Sequence, residues 1–272
     1  MTKQCKLKIF LFGGFGNNLS QINFGKSLEK NGFNIEFDDT LAERNIFTRI
    51  LGWSVHDSTY KNLNLNIKKT NIFSKILIFS TLALCVITNK SISKVFYEGK
   101  DNLDKIPPSR LKNYSYIFGY FQSPLLLEQG ICIGNLFPPI GKTLNQIAIH
   151  IRGGDFLEKD KLDEKYYIRS IKKLKNANLS YKIFTNDILL SKKILKESKI
   201  KNFSFSENNA YADFNEIRQS KIIISGNSTF SIWSSMLSNA DMIFIPKVHS
   251  NRLLSIHTLN NINKNIHYLD TV

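Results

Sequence analysis

Hydrophobic and polar residues follow two spacings along the chain, and the two spacings alternate. Near the N-terminus, KLKIFLFGG predicts a strand that ends in glycines. NLSQINFGKSLEKNG then carries apolar residues at roughly helical spacing, and FNIEFDD alternates like a second strand. This β-α-β order predicts a parallel sheet covered by helices.

The same order returns in the second half of the chain. Strands are predicted at QIAIHIR, SYKIFTND, KIIISG and DMIFIPK, and helices at DEKYYIRSIKKLKN, SKKILKES and STFSIWSSMLS. GNLFPPIGKT, residues 134–143, contains two prolines and two glycines and is interpreted as a linker. We therefore predict an α/β protein of two Rossmann-like halves facing a cleft, with an N-terminal domain at 1–135 and a C-terminal domain at 136–272.

Residues 40–110 follow neither spacing clearly, and we expect helices and loops there. They include the most apolar stretch of the chain, ILIFSTLALCVIT at 76–88, which has Lys75 and Lys90 at its two ends. Thirteen residues are too few to span a bilayer. We predict a buried helix, with a helix on a membrane surface as the alternative.

Composition limits the classes of partner. A net charge of +15 over 272 residues attracts anions such as nucleic acid, acidic membranes or phosphorylated substrates. The lysines are scattered and no RNP, zinc or helix-turn-helix pattern is present, so nucleic-acid binding is not expected. The three cysteines lack CxxC spacing, which favours a reducing compartment over a disulfide scaffold or zinc site. The N-terminus lacks a signal-peptide cleavage site, so we expect a cytoplasmic protein.

Ligands of open α/β sheets bind beyond the carboxyl ends of strands, and three polar stretches stand at such positions. The first is GGFGNN, residues 13–18, after the first strand. It fails the dinucleotide fingerprint at Leu19, and a P-loop reading would place GKS inside the predicted helix. We expect Gly14 and Asn17 to contact a ligand, with a plain tight turn as the alternative.

The second stretch is IAIHIRGGDF, residues 147–156. Side chains alternate along a strand, so His150 and Arg152 share a face while the isoleucines between them face the core. The planar fork of an arginine suits a phosphate. Asp155 would orient the arginine, bind a substrate hydroxyl or act as a base. A structural ion pair at the strand end is the alternative.

The third stretch is IIISGNSTFSIW, residues 222–233, where a run of isoleucines ends and a helix is expected to begin. Asn227, Ser228 and Thr229 supply three hydrogen-bonding side chains beside the free N–H groups of a helix start. Such a start makes a phosphate cradle. An ordinary helix N-cap is the alternative.

In combination and in order, these stretches resemble the bacterial α-1,2-fucosyltransferases of glycosyltransferase family 11. GGFGNNLSQINFGKSL resembles the family's GG-x-GNQ-x-x-Q opening, GYFQS its G-Y-[WF]-Q-S element, and HIRGGDF its H-x-R-R-G-D-[YF] signature. The family order continues with YY at 166–167, FTND at 184–187, DFNEIRQSKIIISGNSTFSIWSSML and IFIPK. The resemblance spans residues 9–247, with 40–110 unmatched.

The resemblance implies a GT-B-like fold and inverting, metal-independent transfer of L-fucose from GDP-fucose to the 2-hydroxyl of a galactose. The acceptor would be a galactose-terminated cell-envelope glycan such as a lipopolysaccharide O-antigen. No cofactor is implied beyond the donor substrate. The N-terminal domain would be the acceptor side, and the C-terminal domain would bind GDP-fucose.

The resemblance also implies roles for individual residues. Arg152 would hold the donor's β-phosphate, His150 would contact the guanosine end, and Asp213 would bond the guanine edge. Three neighbours would bind the diphosphate, namely Asn227, Ser228 and Thr229. Gly14 and Asn17 would close on the donor from the other domain.

The residues themselves agree with chemistry that needs no metal. The nearest match to a DxD-type motif is Asp38-Asp39, which ends a strand of the other half. Cations and helix N-termini must then stabilise the leaving diphosphate, and Arg152 with the helix start at Ser228 would do so. Asp155 is the first candidate for a base, followed by Glu158 and Asp160.

Three positions depart from the family pattern. The second arginine of the signature is Gly153, the glutamine of GNQ is Asn18, and the first tryptophan of a pair is Ile232. The loss of one cation at Gly153 leaves two alternatives open: a divergent or inactive sugar-nucleotide-binding protein, and a glycosyltransferase with another donor. The excess of lysine predicts peripheral contact with the anionic inner face of the cytoplasmic membrane.

Overall fold

The computed structural model describes residues 5–44, 46–50, 59–99, 108–122, 130–154, 162–174, 178–247 and 265–270. The chain divides into two compact units, Met1–Phe137 and Pro138–Val272. The division lies inside the stretch 134–143 that the sequence marks as a linker. The assignment of the units to acceptor and donor stays a prediction.

The N-terminal unit is built on a four-stranded parallel sheet in the order β2-β1-β4-β3. Its strands are β1 (Lys6–Phe10), β2 (Asn34–Asp38), β3 (Val95–Tyr97) and β4 (Tyr116–Phe118). Its described helices are α1 (Phe15–Lys30), α2 (Ile46–Ile50), α3 (Ile72–Thr88) and α4 (Pro108–Leu111).

The C-terminal unit is built on a six-stranded parallel sheet in the order β10-β9-β8-β5-β6-β7. Its strands are β5 (Leu144–Ile151), β6 (Ser180–Thr185), β7 (Phe203–Phe205), β8 (Ser220–Ile224), β9 (Met242–Lys247) and β10 (Ile266–Asp270). Its described helices are α5 (Glu164–Lys173), α6 (Ile188–Ser198), α7 (Ala210–Gln219) and α8 (Thr229–Met236). The predicted α/β class with two Rossmann-like halves is confirmed.

Strand β5 lies inside the larger sheet and is covered on both faces. Ile147, Ile149 and Ile151 are fully buried in one core cluster, together with residues of α5 and β6. His150 belongs to the other face, where its ring stacks on Phe230 of α8 with centroids 5.5 Å apart. The alternation that the sequence predicts for this strand is therefore present.

Some elements differ from those that the sequence predicts. Strand β7 and helix α7 stand between α6 and β8, where a direct step from helix to strand was expected. Strand β3 lies in the region for which helices and loops were expected, and β10 was not predicted. Both β3 and β7 have three residues, which are too few to show the alternation of apolar and polar positions that identifies a strand.

The prediction that residues 76–88 form a buried helix is correct about the helix and wrong about its full burial. Helix α3 starts earlier, because the Asn71 side chain caps it by accepting a hydrogen bond from Ser74 N at 2.9 Å. The helix buries one side and leaves the other in solvent, where Phe73 is 82% exposed and Ile87 79% exposed. A helix that is apolar all round does not reveal which side its neighbours cover.

Candidate active site

The carboxyl ends of β5 and β8 meet at one edge of the larger sheet. The two strands are parallel neighbours, with Ile149 paired to Ile224. The segment that follows β5 therefore lies beside the segment that follows β8. This pairing brings His150 and Arg152 together with Asn227, Ser228 and Thr229, which the sequence predicts as donor-binding residues.

Gly226 allows these two segments to come into contact. A Cβ at this position would lie 2.7 Å from the carbonyl oxygen of His150 and 3.1 Å from its Nδ1. The loop after β8 thus passes directly against the backbone of β5, which a larger residue would prevent. Tyr166 of α5 holds the same loop by donating its hydroxyl to Ser225 O at 2.8 Å.

His150 is buried and neutral. Its side chain is only 7% exposed. Burial, reinforced by the charge of Arg152, lowers the pKa of His150 from 6.5 to about 3. Within the described residues no hydrogen bond reaches its buried Nδ1. A neutral imidazole beside Arg152 offers one donor and one acceptor without adding charge.

The turn after Arg152 is held from the next strand. Gly153 N donates to Asn186 Oδ1 at 3.0 Å, and Gly154 N donates to Asp187 Oδ2 at 3.3 Å. A Cβ on Gly153 would lie 2.5 Å from Asp187 Oδ2 and 2.8 Å from Asp187 Cβ. The position where the family signature has its second arginine is therefore packed against a side chain of the segment after β6.

Tyr167 of α5 lies against the backbone at Arg152, where this turn begins. Burial raises the pKa of its phenol well above the usual range, and the backbone N–H of Arg152 partly offsets the rise. Its hydroxyl oxygen would be 3.1 Å from a Cβ on Gly226. The phenol thus stays protonated next to both site segments. The sequence marks Tyr167 only through the YY pair, and gives Asn186 and Asp187 no role beyond the FTND motif.

Helix α8 begins at the same edge. Ser228 is its N-cap and accepts a hydrogen bond from Phe230 N at 3.3 Å. Asn227 and Ser228 are buried, while Thr229 is half-buried. The hydroxyl hydrogen of a capping serine can still be donated outwards. The first turn of α8 therefore combines N–H groups, hydroxyls and a positive dipole end.

Asp213 lies in the first turn of α7 and accepts a hydrogen bond from Ser206 Oγ. Burial raises the pKa of Asp213, and the bond from Ser206 partly offsets the rise. The adjacent ring of Phe214 contacts Phe230, with centroids 5.4 Å apart, and Phe230 stacks on His150. Phe214, the residue after Asp213, thus joins α7 to the site through Phe230.

Gly14 and Asn17 stand at the end of β1 in the N-terminal unit. Gly14 is the N-cap residue of α1. Asn17 Oδ1 accepts a hydrogen bond from Gln122 Nε2 at 2.8 Å. The two family-like stretches GGFGNN and GYFQS are therefore joined directly in the fold.

Buried polar side chains to which the sequence gave no individual role hold these two stretches. Gln21 accepts from Phe12 N at 3.1 Å and donates to Gly119 O at 3.1 Å, which joins the segments after β1 and β4. The carboxylate of Glu98 accepts from the backbone N–H groups of Tyr120 and Phe121. Glu98 lies in the unmatched region, so no motif pointed to it.

Asp38, the first residue of the Asp38-Asp39 pair, has a structural role. Its carboxylate accepts from Thr40 N at 2.9 Å, Thr70 N at 2.6 Å and Thr70 Oγ1 at 2.7 Å. Among the described residues, no group of three or more His, Cys, Asp or Glu side chains is arranged to hold a metal ion. The proposed bases Asp155, Glu158 and Asp160 lie outside the described residues.

Comparison with solved structures gives several distant likenesses. Heptosyltransferase WaaC of E. coli with ADP is 8% identical, with 97% of this chain and 90% of that chain covered at a TM-score of 0.48. A glycosyl transferase family 9 protein of Veillonella parvula is 12% identical, with 100% and 87% covered at 0.49. TM-scores below 0.5 add nothing to the fold seen directly.

Comparison by sequence gives one clear family. No curated protein matches the chain. The model of glycosyl transferase family 11 matches residues 118–263, which is more than half of the 272 residues and includes both segments of the candidate site. The chain therefore belongs to glycosyl transferase family 11.

Proposed function

We propose that this glycosyltransferase moves L-fucose from GDP-fucose to the 2-hydroxyl of a galactose, with inversion and without a metal. The observation that carries the proposal is the meeting of Arg152 with the N-terminus of α8 at one sheet edge. A guanidinium beside free N–H groups suits a diphosphate leaving group. Membership of the family supports sugar transfer, and the donor and linkage belong to the proposal.

Donor recognition divides along the sheet edge. The diphosphate lies on the first turn of α8, with Asn227, Ser228 and Thr229 donating to it. Arg152 holds the β-phosphate. His150, which burial keeps neutral, contacts the guanosine, and Asp213 accepts from the guanine edge.

The transfer balances without any covalent enzyme intermediate. The acceptor oxygen forms a bond to C1 of fucose while the bond from C1 to the β-phosphate oxygen breaks, and the electron pair leaves with GDP. Arg152 offsets the charge that develops on that phosphate. Asp155 takes the proton of the acceptor hydroxyl. The N-terminal unit receives the galactose-terminated glycan.

The packing of Gly153 favours a second candidate, a protein that binds GDP-fucose but transfers it poorly or not at all. A side chain at this position would collide with Asp187. The site therefore has one arginine where the family signature has two. This candidate shares the donor with the first and differs from it only in turnover.

A transfer assay in EDTA tests the proposal. The protein is incubated with GDP-fucose and galactose-terminated disaccharides, and the linkage of the product is read by NMR. Replacing Arg152→Ala should lower kcat by about 10²- to 10³-fold while the protein stays folded. Arg110→Ala, on an exposed position of α4, is the control and should change nothing.

Three outcomes decide between the candidates. Transfer from UDP-sugars instead of GDP-fucose would remove the donor assignment. Binding of GDP-fucose without any product would establish the second candidate. Activity that EDTA abolishes would contradict the metal-independent reaction.

A further inference from the structure

Helix α3 has an apolar face that the described part of the protein leaves open. Seven of the twelve large hydrophobic side chains that are exposed in the described residues belong to this one helix. The outermost are Phe73, Leu77 and Ile87, at 82%, 71% and 79% exposure. Exposed apolar groups concentrated in this way mark a contact surface.

The orientation of this face is fixed by the opposite side of the helix. Ile78, Phe79, Leu82 and Cys85 are buried in a core cluster with β1 and β4. The ring of Phe79 contacts Phe10 edge to face, with centroids 5.5 Å apart. The helix cannot turn its exposed side inwards without breaking this packing.

Five of the seven exposed hydrophobic side chains and Ser80 form a single stripe. Positions 73, 76, 77, 80, 84 and 87 follow one another at intervals of one, three or four residues, which places them on one side of a helix. From the first to the last, the stripe is about 21 Å long. Ser80 is the polar residue within it. The surface is thus long, narrow and almost entirely apolar.

The charge at the two ends of the stripe is positive. Residues 58–97 contain six lysines and no aspartate or glutamate. Three of the lysines, Lys61, Lys68 and Lys69, form ion pairs with acidic side chains from elsewhere in the N-terminal unit. The positive charge of the stripe therefore comes from Lys75 in the first turn of α3 and from Lys90 and Lys94 after its end.

We propose that the apolar face of α3 docks into the surface of an anionic phospholipid bilayer. The apolar stripe enters the boundary between head groups and acyl chains, and the lysines at its ends contact anionic head groups. This inference goes beyond the proposed function and rests on neither its donor nor its linkage. In the described residues no helix is long and apolar enough to cross a membrane.

The charge also argues against a second copy of this chain as the occupant. Two copies that joined through α3 would bring the positive charges of Lys75, Lys90 and Lys94 of one copy close to those of the other. Like charges at such an interface oppose association. An anionic bilayer removes that repulsion and gains from the same lysines.

Vesicle binding tests the proposal without any nucleotide sugar. The probes are vesicles of phosphatidylcholine alone and vesicles with about 30 mol % phosphatidylglycerol, the anionic lipid. The whole chain should sediment with the anionic vesicles and not with the neutral ones. Salt above about 1 M should weaken the binding, because it screens the lysines.

Two pairs of variants locate the surface. Leu77→Gln with Ile87→Gln should lower the partition coefficient at least about tenfold, because the apolar area that enters the lipid is lost. The control replaces Ile188→Gln and Leu189→Gln, an exposed Ile and Leu on α6. Lys75→Gln with Lys90→Gln should lower the partition coefficient about 30-fold. The control for this pair is Lys172→Gln with Lys173→Gln, two exposed lysines of α5.

The outcomes separate this inference from the proposed function. Equal vesicle binding by the α3 variants and their controls would overturn the docking surface, whatever the transfer assay gives. A dimer that the Leu77→Gln and Ile87→Gln pair converts to a monomer would identify a second copy as the occupant instead. Transfer to a soluble disaccharide should be unchanged in the α3 variants, which also shows that they fold.

Discussion

At the end of β5, a buried histidine lies beside an arginine. The arginine charge adds to the effect of burial, and both keep His150 neutral. The role proposed for His150 follows from this, because a neutral ring can bond a guanosine while Arg152 alone carries the positive charge. In this proposal, His150 recognises the guanosine and Arg152 neutralises the charge of the diphosphate.

The low pKa of His150 predicts how stability depends on pH. The unfolded chain binds a proton on this ring near its ordinary pKa of 6.5, while the folded protein resists protonation until about pH 3. Stability is therefore complete above about pH 6.5 and falls as the pH drops towards 3. At about pH 5 the loss is about 2 kcal/mol.

Urea unfolding at about pH 7.5 and about pH 5 measures this loss. The wild type should lose about 2 kcal/mol more than His150→Gln, which has no proton to gain. The same loss in both proteins would mean that His150 is not held neutral by burial.

Single residues show how far the sequence could predict the site. The two-residue spacing of His150 and Arg152 predicted a shared face, because alternation is a local property. The lack of room for a side chain at Gly153 was not predictable. Asp187, which fills that room, follows another strand. The same holds for Tyr167, whose role depends on a helix packing under the turn.

At the scale of elements, one N-cap also shapes the site. Asp187 caps α6 by accepting from Leu190 N at 3.0 Å, and its other carboxylate oxygen accepts from Gly154 N. Asp163 caps α5 in a similar way by accepting from Lys165 N at 2.9 Å. The two caps are alike as helix starts, but Asp187 also holds the turn after Arg152.

Replacing each cap with alanine should separate the two roles. Asp187→Ala and Asp163→Ala should each lower the free energy of unfolding by about 1 kcal/mol. Only Asp187→Ala should also lower kcat for transfer, by about tenfold or more, because the turn that aims Arg152 is released. Equal kcat in the two variants would show that the cap at Asp187 serves stability alone.

Elements differ in how well the sequence predicted them. Strands β5, β8 and β9 each contain at least three consecutive apolar residues, and all three were predicted. Strands β3 and β7 were not, because each has three residues, and each is an edge strand stabilised by one neighbouring strand. Helix α3 was predicted as a helix but placed in the core, because its composition is the same on the buried and the exposed side.

At the scale of the whole molecule, the proposed donor site lies largely in one unit. GDP should therefore stabilise the unit Pro138–Val272 with no metal present. A ligand at about 100 times its Kd adds about 2.7 kcal/mol. The melting temperature in EDTA should rise by about 5 °C.

Calorimetry with GDP and, separately, with UDP checks this expectation. A rise with GDP and none with UDP agrees with a guanosine site. A rise with UDP alone would contradict the proposed donor, and a rise that requires added Mg²⁺ would contradict metal independence.

The net charge is a whole-molecule property whose meaning depended on the fold. In the sequence the lysines are scattered, and +15 favoured several kinds of anionic partner. The fold places an open apolar helix inside the 40-residue segment 58–97, which has no acidic residue. Neither observation alone identifies a partner, and only the two in combination point to a bilayer.

The strand connections have a consequence for biosynthesis. All four strands of the smaller sheet come from residues 6–118, and every pair in it is parallel. Parallel pairs need long crossover connections, and in this sheet every crossover lies within residues 6–118. Because domains tend to fold in the order in which they leave the ribosome, this sheet can close before the ribosome has made residues 138–272. The nascent chain would then present α3 to a membrane before the C-terminal unit is complete.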